Sequence, residues 1–312
     1  MARLLPMSLD IIILNWNQAE DTIACARRAQ TWPVEAKRIW VVDNASRPEG
    51  AQRLAEALSV PVCAGTTTEI IYSDTNRGFA GGNNLALARA LQTGCRAVLL
   101  LNNDAQVDVS AAQHLQLTLA QHPQIGIVGP VLVDTGDPSR LLSAGGRDIA
   151  YHLSSHILDP LQPGELRFVD YVPGTCVMIR AEVLREVGLL DEAYFFGGEV
   201  ADLCARARQQ GWLSAVDGSA IVQHAVNRSA IIRRRLHLYY VMRNRFLYIR
   251  KFYPRRQLPL FALWTLYGLY TAGLAMIKRQ PEQVRTIGLG CLDGWRGRFG
   301  GQNARVTRGQ IT

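Results

Sequence analysis

The sequence predicts an α/β fold in which a mostly parallel central sheet is flanked by helices. Two observations predict it: short apolar runs alternate with helix-like segments, and most of these runs stop abruptly at Asn or Asp. Strand–helix–strand repetition of this kind is typical of doubly wound parallel sheets. The 312 residues are enough for one large domain and a smaller C-terminal part.

The predicted elements follow one another regularly through the first hundred residues. Strands are predicted at residues 9–14, 39–42, 69–72 and 97–101, and helices at 20–31, 51–58 and 83–92. The strands are unbroken apolar runs, as expected where both faces of a strand are covered. Beyond residue 104 the pattern is mixed, with strands at 125–133 and 177–179, helices at 181–187 and 199–210, and a Gly-, Pro- and Ser-rich loop at 134–165.

The composition is that of an ordered globular protein, and it predicts a cytoplasmic one. Hydrophobic residues make up 48% of the chain and charged residues 19%. The first apolar run, residues 11–14, is too short for the core of a secretory signal. The six cysteines form no CxxC pair, so we expect reduced, packed thiols rather than a zinc site.

Polar side chains collect where three of the predicted strands end. They are Asn15 and Asn17, Asp43 and Asn44, and Asn103 and Asp104. Open α/β sheets bind ligands at the carboxyl ends of their strands. A carboxylate at Asp43 could accept hydrogen bonds from a base or ribose, and one at Asp104 could bind a hard divalent cation. Alternatively, the same residues only end the strands in Asx turns.

A glycine-rich segment at residues 76–84 is the next candidate site. Its three glycines would let the backbone approach a ligand, and Arg77, directly before Gly78, could reach a diphosphate. The alternative is a plain turn capped by Asn83. The chain has neither a GxGxxG nor a GxxxxGK[ST] motif, which disfavours a dinucleotide site or a P-loop.

Two further candidates lie late in the chain. Glu199 and Asp202 are spaced to share one face of a helix's first turn, where either could act as a general base. Acidic residues also simply favour helix N-termini. His224 follows an apolar strand and could complete a metal site, although a lone histidine is often structural.

Taken together and in this order, these motifs resemble family 2 glycosyltransferases, especially the rhamnosyltransferase-like branch. The resemblance runs from about residue 9 to residue 300. It is carried by the first strand and nucleotide loop at 11–17, the Asp motif at 43–46, the NxGFAxGxN stretch at 76–84, the DxD position at 101–104 and the acceptor and base region at 188–204.

The resemblance implies a GT-A fold with a Rossmann-like sheet, a Mg²⁺ or Mn²⁺ ion and direct displacement with inversion. The donor would be a nucleoside-diphosphate sugar, either dTDP-rhamnose or a UDP-sugar, and the acceptor a lipid-linked or cell-envelope glycan. Residues 1–227 would form the catalytic domain, with a nucleotide half at about 9–105 and an acceptor half at about 106–227. Carried over to this chain, the metal ligands would be Asp104 and His224, the nucleotide-binding residues Asn15, Asn17, Asp43, Asn44, Arg77, Gly78 and Asn103, and the acceptor residues Gly174, Thr175 and Arg243.

Two departures from the family pattern affect the chemistry. The DxD position begins with Asn102, so that only Asp104 is charged. The family's Glu-Asp pair is Glu199-Val200 here, and Val200 cannot take a proton. We therefore expect Glu199 to be the base, with Asp202 as second choice; Val200 also leaves open a catalytically inactive sugar-nucleotide binder.

The C-terminal part, residues 228–312, is basic and aromatic. It holds 17 Lys and Arg against 2 Asp and Glu, a net charge of +15 against +8 for the whole chain, which leaves −7 for residues 1–227. Residues 258–277 carry no charge, are flanked by basic residues, and contain Trp264, Tyr267 and Tyr270 at helical spacing. We expect this helical region to lie at the inner surface of the cell membrane, because positive charge at both ends argues against spanning.

The sequence of residues 228–312 is also compatible with several alternatives. Pro259, Gly268 and Gly273 could break residues 258–277 into a hairpin, and an ordinary buried helix pair would also fit the pattern. The arginines at 233–235, and those at 243 and 245, could bind the pyrophosphate of a lipid-linked acceptor. The basic charge would also suit a nucleic-acid-binding protein, but no RNP, KH or zinc-finger pattern supports a nucleic-acid partner. A sugar-nucleotide pyrophosphorylase is disfavoured because residues 14–17 lack the glycine-rich loop of that class.

Overall fold

The computed structural model of the protein describes residues 8–33, 37–60, 66–153, 155–225 and 231–308, with side chains described from residue 234 in the last range. Within these residues the strands are β1 (Leu9–Asn15), β2 (Arg38–Asn44), β3 (Thr67–Ser73), β4 (Ala97–Asn102), β5 (Ala105–Val107), β6 (Ile125–Asp134), β7 (Leu141–Ser143), β8 (Leu166–Phe168), β9 (Cys176–Arg180) and β10 (Leu213–His224). The helices are α1 (Ala19–Gln30), α2 (Pro48–Leu58), α3 (Gly78–Gln92), α4 (Val109–Gln121), α5 (Ala181–Val187), α6 (Glu199–Gln209), α7 (Ile231–Phe252), α8 (Gln257–Ile277), α9 (Pro281–Trp295) and α10 (Asn303–Thr307).

All described strands belong to one sheet whose main order is β3-β2-β1-β4-β9-β6-β10-β5. Strands β1 to β4 are mutually parallel where they pair, and β6 pairs parallel with β10. The inserted strand β9 is antiparallel to both β4 and β6, which keeps the two parallel groups in the same direction. The mostly parallel sheet predicted from the sequence is confirmed.

Helices cover both faces of this sheet. Ile11 and Ile13 of β1 are fully buried against α1, α2 and α4, while Ile12 is buried on the opposite face with α3 and α6. Because successive side chains of a strand point to opposite faces, a strand covered on both sides must be apolar throughout. This explains the unbroken apolar runs that predicted the strands.

The C-terminal helices share the apolar core on one face of the sheet. Phe246 of α7, Phe261 of α8 and Ile287 of α9 belong to the same buried cluster as Ile12 of the central strand. The predicted boundary between residues 227 and 228 lies outside the described residues. From residue 231 onward, the chain packs as part of one body with the sheet.

The expectation of a possible hairpin within residues 258–277 is wrong. Helix α8 runs without interruption from Gln257 to Ile277. Pro259 lies in the first turn, where its missing N–H has no intrahelical partner to lose. Gly268 is packed so closely on α9 that an added Cβ would lie 2.5 Å from Cys291 Sγ, so this glycine serves helix packing.

Two features of the fold were not expected from the sequence. Helix α3 begins at Gly78, so the glycine-rich segment is mostly the helix's first turns and not a loop. The predicted loop at 134–165 contains the short strand β7. The five described cysteines are free thiols, as expected, whereas Cys63 lies outside the described residues.

Candidate active site

A chain of side-chain hydrogen bonds joins the ends of three neighbouring strands. Asn15 Nδ2 at the end of β1 donates to Asp43 Oδ1 at 2.7 Å, and Thr22 Oγ1 donates to Asn15 Oδ1 at 2.9 Å. Asn103 Nδ2 in turn donates to Thr22 Oγ1 at 2.9 Å. The carboxylate of Asp43 and the loop that carries Asp104 are therefore linked at the carboxyl edge of the sheet.

Asn15 itself is a structural residue. It is fully buried, its amide nitrogen also donates to Ser46 Oγ at 2.9 Å, and its oxygen also accepts from the N–H of Gln18 at 3.2 Å. Both donors and both acceptor positions of this amide are in use within the protein, and the nucleotide contact expected for Asn15 stays a prediction. Its role is to orient Asp43.

Asp43 lies in a tight turn at the end of β2, where its side chain is buried. Its Oδ2 accepts from the N–H of Ser46 at 3.2 Å, and Ala45 between them has a left-handed φ of 59°. The adjoining loop is attached to this turn, because the N–H of Asn17 donates to Ser46 Oγ at 2.8 Å and Asn17 Oδ1 accepts from Arg47 at 2.9 Å. Asn17 is exposed at the rim.

The side chain of Asn44 forms hydrogen bonds with the glycine-rich segment. Its Oδ1 accepts from the N–H of Arg77 at 2.9 Å, and its Nδ2 donates to Gly78 O at 3.0 Å and Asn76 Oδ1 at 3.1 Å. The side chain is buried with these three bonds made. The structure thus assigns Asn44 to fixing the start of α3 instead of the predicted contact with a nucleotide.

The glycines at the start of α3 contact protein, not an open cleft. The carbonyl of Phe195 accepts from the N–H of Phe79 at 2.7 Å and occupies the helix N-terminus. An added Cβ would lie 2.2 Å from that carbonyl oxygen at Gly78 and 2.5 Å from Leu14 at Gly82. These glycines allow the 195 region and β1 to pack closely on α3, and the ligand approach expected at them, including Gly78, stays a prediction.

Arg77 lies directly before α3, with a partly exposed side chain. Its guanidinium lies 3.4 Å from Glu192, and its side chain is 39% exposed. Asn84 Nδ2 also donates to Glu192 Oε1, at 3.1 Å. A diphosphate would have to compete with Glu192 for Arg77, since surface ion pairs of this kind are weak and exchange readily.

The predicted metal ligands face each other directly. Asp104 Oδ1 and His224 Nε2 are 3.3 Å apart, with 21% and 24% of their side chains exposed. The antiparallel pairing of β5 with β10 sets His224 opposite Ala105 and so beside Asp104. Apart from this contact, Asp104 Oδ1 has no hydrogen-bond partner among the described residues.

This pair fits a divalent cation. Two ligands at 2.0–2.1 Å from an octahedral ion are about 3 Å apart, close to the observed separation. The described residues contain no cluster of three or more His, Cys, Asp or Glu side chains that could hold a metal. Asp104 and His224 would therefore supply only two positions, which leaves the others for diphosphate oxygens and water.

Gly174 and Thr175 connect this loop with the start of α6. The N–H of Asn102 donates to Thr175 O at 2.9 Å, and a Cβ added at Gly174 would lie 3.1 Å from Val200 Cγ2. Both residues are half-buried. The segment predicted to contact the acceptor thus lies between the Asp104 loop and Glu199.

Glu199 begins α6 directly after Gly198, whose φ is 102°. Its side chain is 5% exposed, and Oε2 is buried without a hydrogen-bond partner. Burial raises the pKa of Glu199 to about 7, with a smaller contribution from the charge of Asp202, although N–H groups of residues 197 and 199 oppose the shift. A carboxyl group of this kind can accept a proton near neutral pH.

Asp202 differs from Glu199 in having cationic partners. It is fully buried, Arg206 Nε lies 2.6 Å from its Oδ1, and Lys251 Nζ contacts its Oδ2. Lys251 also lies 2.7 Å from Asp191 Oδ2. Because two cations already hold this carboxylate, the structure does not support Asp202 as an alternative base.

Arg243 is not at an acceptor surface, contrary to expectation. It is fully buried, and its guanidinium donates to the carbonyl oxygens of Gly300 at 2.5 Å, Ala193 at 3.1 Å and Tyr194 at 2.8 Å. These donors hold the backbone that leads to Glu199. The acceptor contact predicted for Arg243 is therefore wrong.

Asn244 and Lys251 of α7 are site residues that the sequence reasoning missed. Asn244 Nδ2 lies 3.0 Å from both Tyr194 O and Phe196 O and 2.5 Å from Gly197 O. We call residues 193–198, which α7 holds in this way, the base loop. The available signal was a polar Arg-Asn-Arg run between two apolar stretches of α7, since buried polar side chains require partners.

Comparison with known proteins gives relatives that transfer sugars. The chain is 28% identical over 248 residues to the low-salt glycan biosynthesis hexosyltransferase Agl10 of Haloferax volcanii, covering 77% of this chain and 74% of that protein. It is 23% identical over 269 residues to the dTDP-rhamnosyl transferase RfbF of Shigella flexneri, covering 84% and 87%. The N-acetylglucosaminyl-diphospho-decaprenol L-rhamnosyltransferase of Mycobacterium tuberculosis is 30% identical over 143 residues, which are 41% of this chain and 46% of that one.

Solved structures show the same fold. The mannosyltransferase PcManGT from Pyrobaculum calidifontis, in complex with GDP-Man and Mn²⁺, superposes with a TM-score of 0.59 at 14% identity, covering 94% of this chain and 88% of that one. This likeness confirms the GT-A-like arrangement of sheet and helices. The sequence profile described as glycosyl transferase family 2 matches residues 10–188, more than half of the chain. The protein therefore belongs to glycosyl transferase family 2 and is a glycosyltransferase that uses a nucleotide-sugar donor.

Proposed function

We propose that the protein is a metal-dependent, inverting glycosyltransferase in which Glu199 is the general base. The observation that carries this proposal is the buried, unpaired Oε2 of Glu199 on a carboxyl group whose pKa is about 7. Contacts through Val200, Gly174 and Thr175 connect this group with the loop of Asp104. A base and a candidate cation site thus lie along the same edge of the sheet.

In the proposed reaction, the acceptor hydroxyl oxygen attacks the anomeric carbon while the bond from that carbon to the diphosphate oxygen breaks. Glu199 takes the hydroxyl proton, and the diphosphate leaves with the electron pair, so the configuration is inverted. Asp104 and His224 would hold the cation, which when bound stabilises the negative charge of the leaving diphosphate. Asp43 would accept hydrogen bonds from the nucleoside, and Arg77 would bind the diphosphate after leaving Glu192.

For the donor we propose dTDP-rhamnose, with a UDP-sugar as the alternative, and for the acceptor a lipid-linked glycan at the cytosolic face of the membrane. RfbF is described as a dTDP-rhamnosyl transferase, and the mycobacterial relative as acting on a diphospho-decaprenol. The names of these relatives support the proposal, together with the basic, apolar C-terminal helices. The family match favours transfer over the pyrophosphorylase alternative.

Glu199→Gln tests the assignment of the base. We expect this variant to lose roughly 10²–10⁴-fold in transfer from labelled sugar nucleotides to a membrane extract, because the amide cannot take a proton. Thermal stabilisation by nucleoside diphosphate with Mn²⁺ should survive in Glu199→Gln and disappear in Asp104→Asn. Glu56→Gln, on the exposed side of α2, is the matched control and should keep full activity.

Full activity of Glu199→Gln would refute Glu199 as the base. A second candidate function, an inactive sugar-nucleotide binder, is favoured by Val200 at the family's base position. It predicts that the wild-type protein is stabilised by a sugar nucleotide and Mn²⁺ yet forms no product with any donor. Product formation by the wild-type protein would exclude this alternative.

A further inference from the structure

Helix α8 is apolar on the side that it buries and also on the side that it exposes. Phe261 and Trp264 are fully buried, and the Trp264 indole donates to Ala150 O at 2.8 Å. On the other side, Leu258 is 70% exposed, Leu266 65% and Leu269 64%. A helix at the surface of a soluble protein normally carries polar residues on its outer side.

The exposed apolar surface continues beyond α8 at both flanks. On α9, Leu292 and Trp295 are 40% and 43% exposed, and the Trp295 indole donates to Thr265 Oγ1 of α8 at 2.7 Å. Near the start of α8, Tyr151 and Leu153 are 39% and 53% exposed. We call this exposed surface of α8, with Leu292, Trp295, Tyr151 and Leu153, the apolar face.

The two loop residues are held beside α8 by direct contacts. The rings of Tyr151 and Tyr253 meet edge to face at 5.1 Å, and Arg256 Nη1 donates to Tyr151 OH at 3.1 Å. Arg245 donates to Leu153 O at 3.2 Å while its guanidinium lies 4.1 Å from the centre of the Trp264 ring. The apolar face therefore reaches the loop at residues 134–165.

Basic residues frame this face. Arg255 and Arg256 precede α8 and Lys278 and Arg279 follow it, and all four are exposed. Residues 218–281 contain no Asp or Glu. An uncharged apolar strip with cations at its ends complements a surface that offers both hydrocarbon and negative charge, as anionic lipid headgroups over acyl chains do.

The packing of α8 argues against a bilayer-spanning helix. Residues 254–277 are long and apolar enough to cross a membrane by length and composition; an 18-residue window within them has a mean hydropathy of 1.5, and 28% of that window is buried. To span, α8 would have to remove Phe261 and Trp264 from the shared core and expose Arg245 beneath them. The sequence predicts that Trp264 and Tyr270 alike lie near the headgroups. Tyr270 is 64% exposed, whereas Trp264 is buried.

We propose that the apolar face docks the protein onto an anionic membrane, with α8 lying in the plane of the surface. The inference deepens the proposed function and rests on it in one respect, since a docked site would receive a lipid-linked acceptor from the same surface. The occupant of the face is the lipid surface itself. A second copy of the chain on the face is the competing outcome.

Flotation with vesicles tests this docking. The full chain should float with vesicles of equal parts phosphatidylcholine and phosphatidylglycerol and much less with phosphatidylcholine alone. The double variant Leu266→Glu and Leu269→Glu should lose about tenfold or more in binding to the anionic vesicles, because it places two carboxylates at the lipid contact. Leu117→Glu, at a 43% exposed leucine of α4, is the matched control and should bind like the wild type.

Lys278→Gln with Arg279→Gln tests the charge contribution separately. This variant should bind the anionic vesicles about tenfold or more weakly, and the wild type should lose affinity as salt rises. Equal binding of wild type and Leu266→Glu/Leu269→Glu, or no binding of the wild type to either vesicle, would overturn the proposal. So would a wild-type dimer that the double variant dissociates, because a second copy would then occupy the face.

Nucleotide binding distinguishes failure of docking from failure of the proposed function. The double variant should keep the wild-type thermal stabilisation by nucleoside diphosphate and Mn²⁺, since α8 makes no described contact with Asp43, Asp104 or His224. A chain that floats without being stabilised by any nucleotide would refute the function and leave docking standing. A chain that is stabilised by nucleotide but never floats with vesicles would refute docking and leave the proposed function standing.

Discussion

The proton affinity of Glu199 follows from its surroundings at the start of α6. Desolvation raises its pKa to about 7 against the ordinary value of 4.5, so near neutrality the group alternates between its two forms. Transfer should therefore rise with pH through about 7 and level off above it, because only the ionised carboxylate accepts the acceptor's proton. The pH dependence of kcat/KM with a short-chain acceptor measures this, and a flat profile between pH 5 and 9 would contradict the assignment.

The same shift affects stability, which gives a readout independent of activity. The folded chain binds the Glu199 proton more tightly than the unfolded chain, so the contribution of this group to stability falls as pH rises from about 4.5 to about 7. Above pH 7, Glu199→Gln should accordingly be more stable than the wild type, by up to about 3 kcal/mol. Near pH 4 the difference between the two should vanish.

At the level of single residues, the sequence predicted where polar side chains lie better than it predicted which hydrogen bonds each of them makes. As the sequence predicted, Asp43 and Asp104 lie where β2 and β4 end, and Glu199 lies in the first turn of α6. Asn15 and Asn44 follow the same pattern but are consumed by internal hydrogen bonds. A motif of polar residues after a strand looks identical whether it binds a ligand or supports the residue that does.

Among the elements, α7 has a role that its amphipathic pattern does not suggest. Arg243 and Asn244 hold the base loop through its carbonyl oxygens, and Lys251 reaches Asp202 beyond it. Their partners lie about fifty residues earlier in the chain, so local sequence cannot reveal them. The pairing of β5 with β10 is similarly non-local, and it is what brings His224 to Asp104.

Asn244→Ala tests whether α7 positions the base. Loss of the hydrogen bonds to Tyr194, Phe196 and Gly197 should destabilise the fold by about 2–3 kcal/mol and lower kcat about tenfold or more, with the donor KM little changed. The pH midpoint of kcat/KM should move away from about 7, because the base loop no longer holds Glu199 in place. Arg234→Ala, at an exposed position of the same helix, is the control.

A purely structural role for Asn244 predicts a different result. The melting temperature would then fall while kcat and the pH midpoint of the remaining folded protein stayed at wild-type values. That outcome would remove Asn244 from the positioning residues.

For the whole molecule, the end of the described chain returns to the site. The N–H of Gly300 donates to Ala193 O in the base loop at 2.8 Å, and Tyr240 OH donates to Asn303 Oδ1 at 2.8 Å. Because α7, α8 and α9 share the core of the sheet, sheet and C-terminal helices should unfold together. The opposite net charges of residues 1–227 and 228–312 suggested two separate parts. Charged side chains lie mostly at the surface, so net charge gives no information about whether two segments share a core.

Asp293→Asn tests whether the sheet and the C-terminal helices unfold together. Asp293 is fully buried in α9, where it accepts from Tyr239 OH at 2.8 Å and pairs with Arg305 Nε at 3.0 Å and Arg298 Nη1 at 3.5 Å. Without this negative charge, Arg298 and Arg305 lose their ionic partner. We therefore expect the free energy of unfolding to fall by about 3 kcal/mol and the melting temperature by roughly 5 °C or more. Calorimetry should still show one transition, and the exposed Asp74→Asn should leave it unchanged. If a first transition splits off in Asp293→Asn while tryptophans of the sheet, such as Trp40, stay folded, the C-terminal helices form a separate unit and the shared core does not couple them.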